Sequence, residues 1–173
     1  MIQNFIQNTN HDKETYKNIK WKIPLNNLNA TITEVENKIK SCVELPWAEK
    51  HIIRLSENIS IEAGSHQYQN QRFDIITDER FSILQLPIRS YNHLIRKGEQ
   101  GIRLKEAGYP YSHGWECHRW GDMLLAGQLE EEWMANSQKN GVLTRYDKSQ
   151  LNLEFDDTIE KIYNDFITEK GKI

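Results

Sequence analysis

At 173 residues, with 38% hydrophobic and 27% charged side chains, the chain can bury a proper core and is too apolar for a disordered protein. Cys42 and Cys117 make no disulfide framework, no apolar run reaches the length of a membrane span, and the polar N-terminus lacks a signal-peptide core; a cytoplasmic protein with no membrane partner is expected. The formal net charge of −3 argues against a protein that coats nucleic acid regardless of sequence.

Residues 1–20 are polar, with repeated Asn and Gln and no period, which predicts a flexible arm or an early helix. Trp21-Lys22-Ile23 before Pro24 reads as a short edge strand, and Asn26 to Ala30 as a turn. Thr33 and Glu36 have capping-box spacing, and Ile32, Val35, Ile39, Cys42 and Val43 follow at helical intervals, so a helix is expected to end near Leu45. A second helix starting at Pro46 would turn Trp47, Ile52 and Leu55 inward. Alternation from Leu55 to Ala63 predicts a strand, and the polar run Gly64 to Gln71 a loop. Phe73, Ile75 and Ile76 close that strand or pack under the next element, and Thr77 to Leu86 reads as a short helix.

A further helix is expected to begin at Pro87, whose fixed φ suits a first turn, with Ile88, Tyr91 and Leu94 facing a core. Glu99 to Ala107 predicts another, ended by Gly108, and Tyr109 to Trp120 an aromatic loop. Asp122 to Asn136 reads as one helix, with Met123, Leu124, Leu129, Trp133 and Met134 inward and Glu130 to Glu132 wet, broken by Asn140-Gly141. Asp156 to Lys170 is the last helix, apolar along Ile159, Ile162, Tyr163, Phe166 and Ile167. The fold class this predicts is mainly α with minor β. Residues 1–70 form an N-terminal α/β portion, and residues 71–173 a helical portion with an acidic C-terminal helix.

The segment Leu86-Pro87-Ile88-Arg89-Ser90-Tyr91-Asn92-His93-Leu94 sets Arg89 and Asn92 three residues apart on one face near the positive end of its expected helix. A guanidinium, a carboxamide and unpaired backbone N–H groups there suit phosphates and base edges. From Arg89 to Arg119 the basic residues Arg89, Arg96, Lys97, Arg103, Lys105 and Arg119 face Glu99, Glu106 and Glu116, a local balance of +3. From Leu151 onward Glu154, Asp156, Asp157, Glu160, Asp165 and Glu169 outnumber Lys161, Lys170 and Lys172, giving −3.

The same segment resembles the first helix of the C-terminal domain of the bacterial RNA polymerase alpha subunit, which carries Leu-Ser-Val-Arg-Ser-Tyr-Asn-x-Leu. Gly121-Asp122-Met123-Leu124 is similar to the Gly-Asp/Glu-Leu-Leu that opens that family's next helix. The likeness covers residues 76–133. It implies a compact helical domain with helix-hairpin-helix character that grips A·T-rich minor grooves and contacts the transcription machinery. Arg89 and Asn92 would then be DNA contacts, His93 stands where a cysteine is common, and Arg96, Lys97 and Arg103 would neutralise phosphates. The chain departs from the family pattern in carrying Pro87 for a capping serine or threonine, and in running from Lys97 to Trp120 where the family has a short link. Asn140-Gly141 with Lys148-Ser149 is the nearest approach to the family's Asn-x-Gly-x-Lys-Ser loop.

Two other functions compete with DNA binding. Tyr109, Tyr111, Trp115 and Trp120 suit a protein-interaction surface of a regulator or inhibitor, or they wedge the loop onto the core. His113, Cys117, His118 and Asp122 suit an enzyme or a zinc site, since His113 and Cys117, like His118 and Asp122, stand four residues apart. No phosphate-cradling glycine loop, paired metal-ligand motif or serine elbow accompanies them, so no cofactor, metal or catalytic residue is assigned.

Overall fold

Short strands tie the beginning of the chain to its middle and its end. In the computed structural model, which describes residues 2–7, 19–47, 60–61, 68–69 and 83–170, β1 (Ile2–Asn4) runs parallel to β5 (Ile83–Gln85). β2 (Trp21–Lys22) pairs antiparallel with β9 (Glu154–Phe155), in agreement with the strand expected at Trp21. Both N-terminal strands therefore take partners from beyond residue 71. Ile2–Asn4 is a strand where a flexible arm or an early helix is expected, and residues 8–18 of that stretch lie outside the described residues. Phe5 and Ile6 are buried, and the Asn4 amide donates to the carbonyls of Val43 (2.8 Å) and Leu45 (2.9 Å). Polar composition misleads here because Asn4 and Gln7 are buried polar groups.

The first helix, α1 (Ile32–Glu36), is shorter than its periodicity predicts. Its capping box is Thr31 with Glu34, two residues before the expected pair. It stops because Lys38 adopts a left-handed conformation (φ 55), and the Ile39 and Lys38 N–H groups close onto the Glu34 and Val35 carbonyls, a Schellman ending. Val35, Cys42 and Val43 are buried as expected, whereas Ile32 and Ile39 are exposed. A single 3₁₀ turn (Cys42–Glu44) follows.

β3 (Ser60–Ile61) pairs antiparallel with β4 (Tyr68–Gln69), so part of the expected 55–63 strand is present and the expected 64–71 loop contains a strand. The helix expected after Pro46 from residue 48 onward, and Phe73, Ile75 and Ile76, lie outside the described residues. Ile83 to Gln85 is strand β5, in place of the end of a helix.

One continuous helix, α2 (Tyr91–Glu106), replaces the two expected between Pro87 and Ala107. It packs on α3 (Trp115–Leu125), which takes up the second half of the expected aromatic loop. Gly127, at φ +68, then ends what reads in sequence as a single helix from Asp122 to Asn136, and α4 (Leu129–Ala135) starts a new direction. Asn140 (φ 54) and Gly141 (φ 79) join β6 (Gln138–Lys139) to β7 (Val142–Thr144) as a two-residue hairpin turn of primed type. β8 (Gln150–Asn152) completes that three-stranded sheet, and α5 (Thr158–Lys170) ends the described chain.

The described residues thus hold five α-helices and small sheets, mainly α with minor β. One core joins Val35, Cys42, Ile88, Leu94, Trp120, Met123, Leu129 and Trp133, where α1 to α4 meet. A second joins Ile6, Ile23, Val43, Leu143 and Leu153 beneath the hairpin. Burying each large apolar side chain contributes about 1.5–3 kcal/mol. No described helix is long and apolar enough to cross a membrane.

Candidate functional site

The segment leading into α2 is held before the helix begins. Ser90, in extended conformation, is the N-cap, and its hydroxyl accepts the His93 N–H at 3.0 Å. The helix therefore starts at Tyr91, because Ser90 supplies a side-chain acceptor that Pro87 lacks. Ile88 is buried beneath this entry. Arg89 precedes the cap, so it does not share a helix face with Asn92 as the three-residue spacing suggests. Its backbone is anchored from both sides: its carbonyl accepts from Gln7 Nε2 at 3.2 Å, and its N–H donates to His93 Nδ1 at 3.4 Å. His93 is 6% exposed and serves this entry, so it is not available to a groove.

Past the cap, the expected basic residues divide. Asn92, Arg96 and Arg103 are exposed and lie along one stripe of α2, four and seven residues apart. Glu99, Gln100 and Glu106 are exposed beside them. Lys97 lies about 100° round the helix from Arg96, with its Nζ 3.4 Å from Gln100 Oε1. Lys105 is paired with Asp122 of α3.

The His113/Cys117/His118/Asp122 group does not converge. His118 and Cys117 are buried in α3, whereas His113 and Asp122 are exposed and Asp122 is committed to Lys105. Burial pushes the thiols of Cys42 and Cys117 up, the opposite of what a nucleophile needs. Among the described residues no three His, Cys, Asp or Glu side chains are placed to hold a metal ion. The aromatic run splits in the same way. Trp120 is buried and Trp115 packs on the core, while Tyr109 and Tyr111 are 55% and 44% exposed. The Tyr111 hydroxyl donates to Glu36 at 2.8 Å, and burial together with that carboxylate pushes its pKa up to about 12.

The charged cluster that sequence reasoning missed lies in the interior. Glu132, expected on the wet side of its helix with Glu130 and Glu131, is fully buried. It accepts two bonds from Arg119 (2.6 and 2.8 Å), one from Trp120 Nε1 (2.9 Å) and one from the Tyr146 hydroxyl. Burial works against the Arg119 charge, and the Glu132 carboxylate outweighs it and raises the guanidinium pKa. Burial and the same carboxylate push the Tyr146 phenol up. Glu44, also buried, takes a two-pronged contact from Arg145 (2.5 and 2.9 Å). Arg145 and Tyr146 thus fasten the β7–β8 turn to the helices through two buried carboxylates. Nothing in the local pattern marks Glu44 or Glu132, since their partners lie elsewhere in the chain.

Comparison with protein-family models, with curated proteins and with solved structures found no match to this chain.

Proposed function

We propose that the protein binds DNA through the exposed stripe of α2, as a transcription-associated protein that favours A·T-rich minor grooves. The observation that carries the reading is the alignment of Asn92, Arg96 and Arg103 along one exposed side of α2, with Arg89 at its entry. The stripe runs about 16 Å along the helix, enough to cross a minor groove about 6 Å wide and reach the phosphates on both sides. Arg89, held by its backbone, is the residue to enter a narrow A·T groove, where negative potential favours a guanidinium. Arg96 and Arg103 neutralise phosphates, and Asn92 bonds to sugar-phosphate or base acceptors.

The resemblance to the polymerase alpha C-terminal domain is the second support. Its two matching pieces, Leu86–Leu94 and Gly121–Leu124, lie at the entry and first turn of α2 and on α3, and these two helices pack directly on each other. Glu99 and Glu106 on the same stripe weaken any contact with phosphate, so binding is expected to be modest and strongly salt-dependent.

The test is fluorescence anisotropy of labelled A·T-rich and G·C-rich duplexes across a salt series. Arg103→Ala is expected to weaken binding to both duplexes and to lower the salt slope by about one, and Arg89→Ala to cost about 1–3 kcal/mol and erase the A·T preference. Absence of binding at low salt overturns the proposal.

The exposure of Tyr109 and Tyr111 favours a second reading, a protein-interaction module that docks through the turn before α3. That reading predicts a protein partner whose binding is lost in Tyr109→Ala and unchanged in Arg103→Ala.

A further inference from the structure

Asn140-Gly141 is the chain's single Asn-Gly step, the dipeptide in which a backbone nitrogen most readily attacks the preceding side-chain amide. Asn140 is exposed, so water reaches its side chain. Gly141 is buried against Trp21, so close that a Cβ there would lie 2.8 Å from the indole ring. Its N–H donates to Gln138 Oε1 at 3.0 Å, and its carbonyl accepts the Leu153 N–H at 2.9 Å. Gln138 is itself 3% exposed and fixed by its N–H to the Gln7 carbonyl at 2.9 Å.

We propose that the Asn140–Gly141 turn is a latent deamidation site, silenced in the fold by the Gln138 side chain and released when the β6–β7 hairpin opens. In the reaction the Gly141 nitrogen attacks Asn140 Cγ, the N–Cγ bond forms, and the Cγ–Nδ2 bond breaks. Nδ2 leaves as ammonia, carrying the proton that the Gly141 nitrogen gives up. Water then opens the cyclic imide at one of its two carbonyls, leaving aspartate or isoaspartate. Solvent water is the only co-reactant. A nitrogen whose N–H is held by a buried acceptor resists losing its proton and is a poor nucleophile. Closing the ring also requires the Asn140–Gly141 peptide to rotate, which breaks the bond from the Gly141 N–H to Gln138. Isoaspartate lengthens the backbone by one carbon and adds a charge, which the two-residue turn packed on Trp21 does not accommodate. Each opening that reacts is therefore recorded irreversibly.

The experiment incubates the full chain at mildly alkaline pH, in native buffer and in denaturing urea, and follows deamidation of Asn140 by peptide mapping with mass spectrometry. The native rate is expected to be at least roughly tenfold below the denatured one, since reaction proceeds only from the locally opened state. Gln138→Met, similar in volume and without an acceptor, is expected to react measurably faster than wild type in native buffer while circular dichroism stays native. Gln138→Glu, which restores an acceptor, is expected to stay slow. A wild-type native rate equal to the denatured one overturns the proposal, and so does a folded Gln138→Met that reacts as slowly as wild type. Should Gln138→Met fail to fold, the comparison of native and denatured wild type, with Gln138→Glu, decides.

Discussion

A Cβ on Gly101 would lie 1.7 Å from the carbonyl oxygen of Cys117, so α2 and α3 meet backbone against backbone. Gly98 and Gly121 continue the crossing: a Cβ on Gly98 would be 2.9 Å from the Trp120 carbonyl, and one on Gly121 3.0 Å from the Ile102 nitrogen. Because the obstacle is main chain, no rotamer change relieves it. Gly101→Ala is expected to cost about 3 kcal/mol or more in urea unfolding. Gly108→Ala, at φ +76 with nothing within 4 Å, should cost only about 1–2 kcal/mol. Equal costs at the two positions would mean that the helices do not meet in this way.

Glu132 is the shared acceptor of Arg119, Trp120 and Tyr146, and its removal takes the acceptor from the buried Arg119 and Trp120 and the half-buried Tyr146. Glu132→Ala is expected to destabilise by about 3–5 kcal/mol, chiefly by leaving the Arg119 charge buried without a counter-charge. Replacing Arg119 and Glu132 together with Met and Leu should recover most of that loss. Chemical denaturation of the single and double variants checks both figures, and a double variant no better than Glu132→Ala alone would refute the account.

Asp156 stitches β2 to the start of α5: it accepts from Lys22 Nζ at 2.8 Å and from the Thr158 N–H at 3.0 Å. Burial opposes its charge, yet Lys22 and Thr158 prevail and hold its pKa at about 2, below the ordinary 3.8. The folded value is the depressed one, so the contribution is fully present above about pH 4 and fades as pH falls toward about 2. Asp156→Asn is expected to cost about 1–2 kcal/mol at neutral pH. Thermal unfolding of wild type and variant should converge as the pH approaches 2, and a constant gap across that range would contradict the assignment.

Cys42 and Cys117 are both buried, and burial pushes both thiols up. Neither is expected to react with a thiol reagent at neutral pH until the chain unfolds, and both should react together across the urea transition. A Cys117 that reacts rapidly in the native protein would show that the α2–α3 contact opens locally.

Local periods carry what is legible in the amino-acid sequence. Apolar residues recurring at helical intervals placed Val35, Ile88, Leu94, Met123, Leu129 and Trp133 in the core and located helices in the regions where α2, α4, α5 and the end of α3 lie. β-Branched and aromatic residues before Pro24 marked β2. These signals are readable because a helix face or a strand edge is defined by residues a few positions apart.

Where elements begin and end is set by single caps and turns that the periods do not show, and which polar groups go inside is set by contacts between distant elements. Ser90 rather than Pro87 starts α2 because its hydroxyl meets the His93 N–H, and that shift takes Arg89 off the helix. The left-handed turn at Gly127 divides what periodicity joins. Glu44 and Glu132 look like solvated carboxylates in their own neighbourhoods and become interior ones only because Arg145, Arg119 and Tyr146 arrive from other elements. β1, polar in composition, is a strand because Ile83 to Gln85 runs beside it. For the two glutamates, a buried polar group is stable only when a partner satisfies it, and the partner's identity is set by the fold and not by the neighbouring residues.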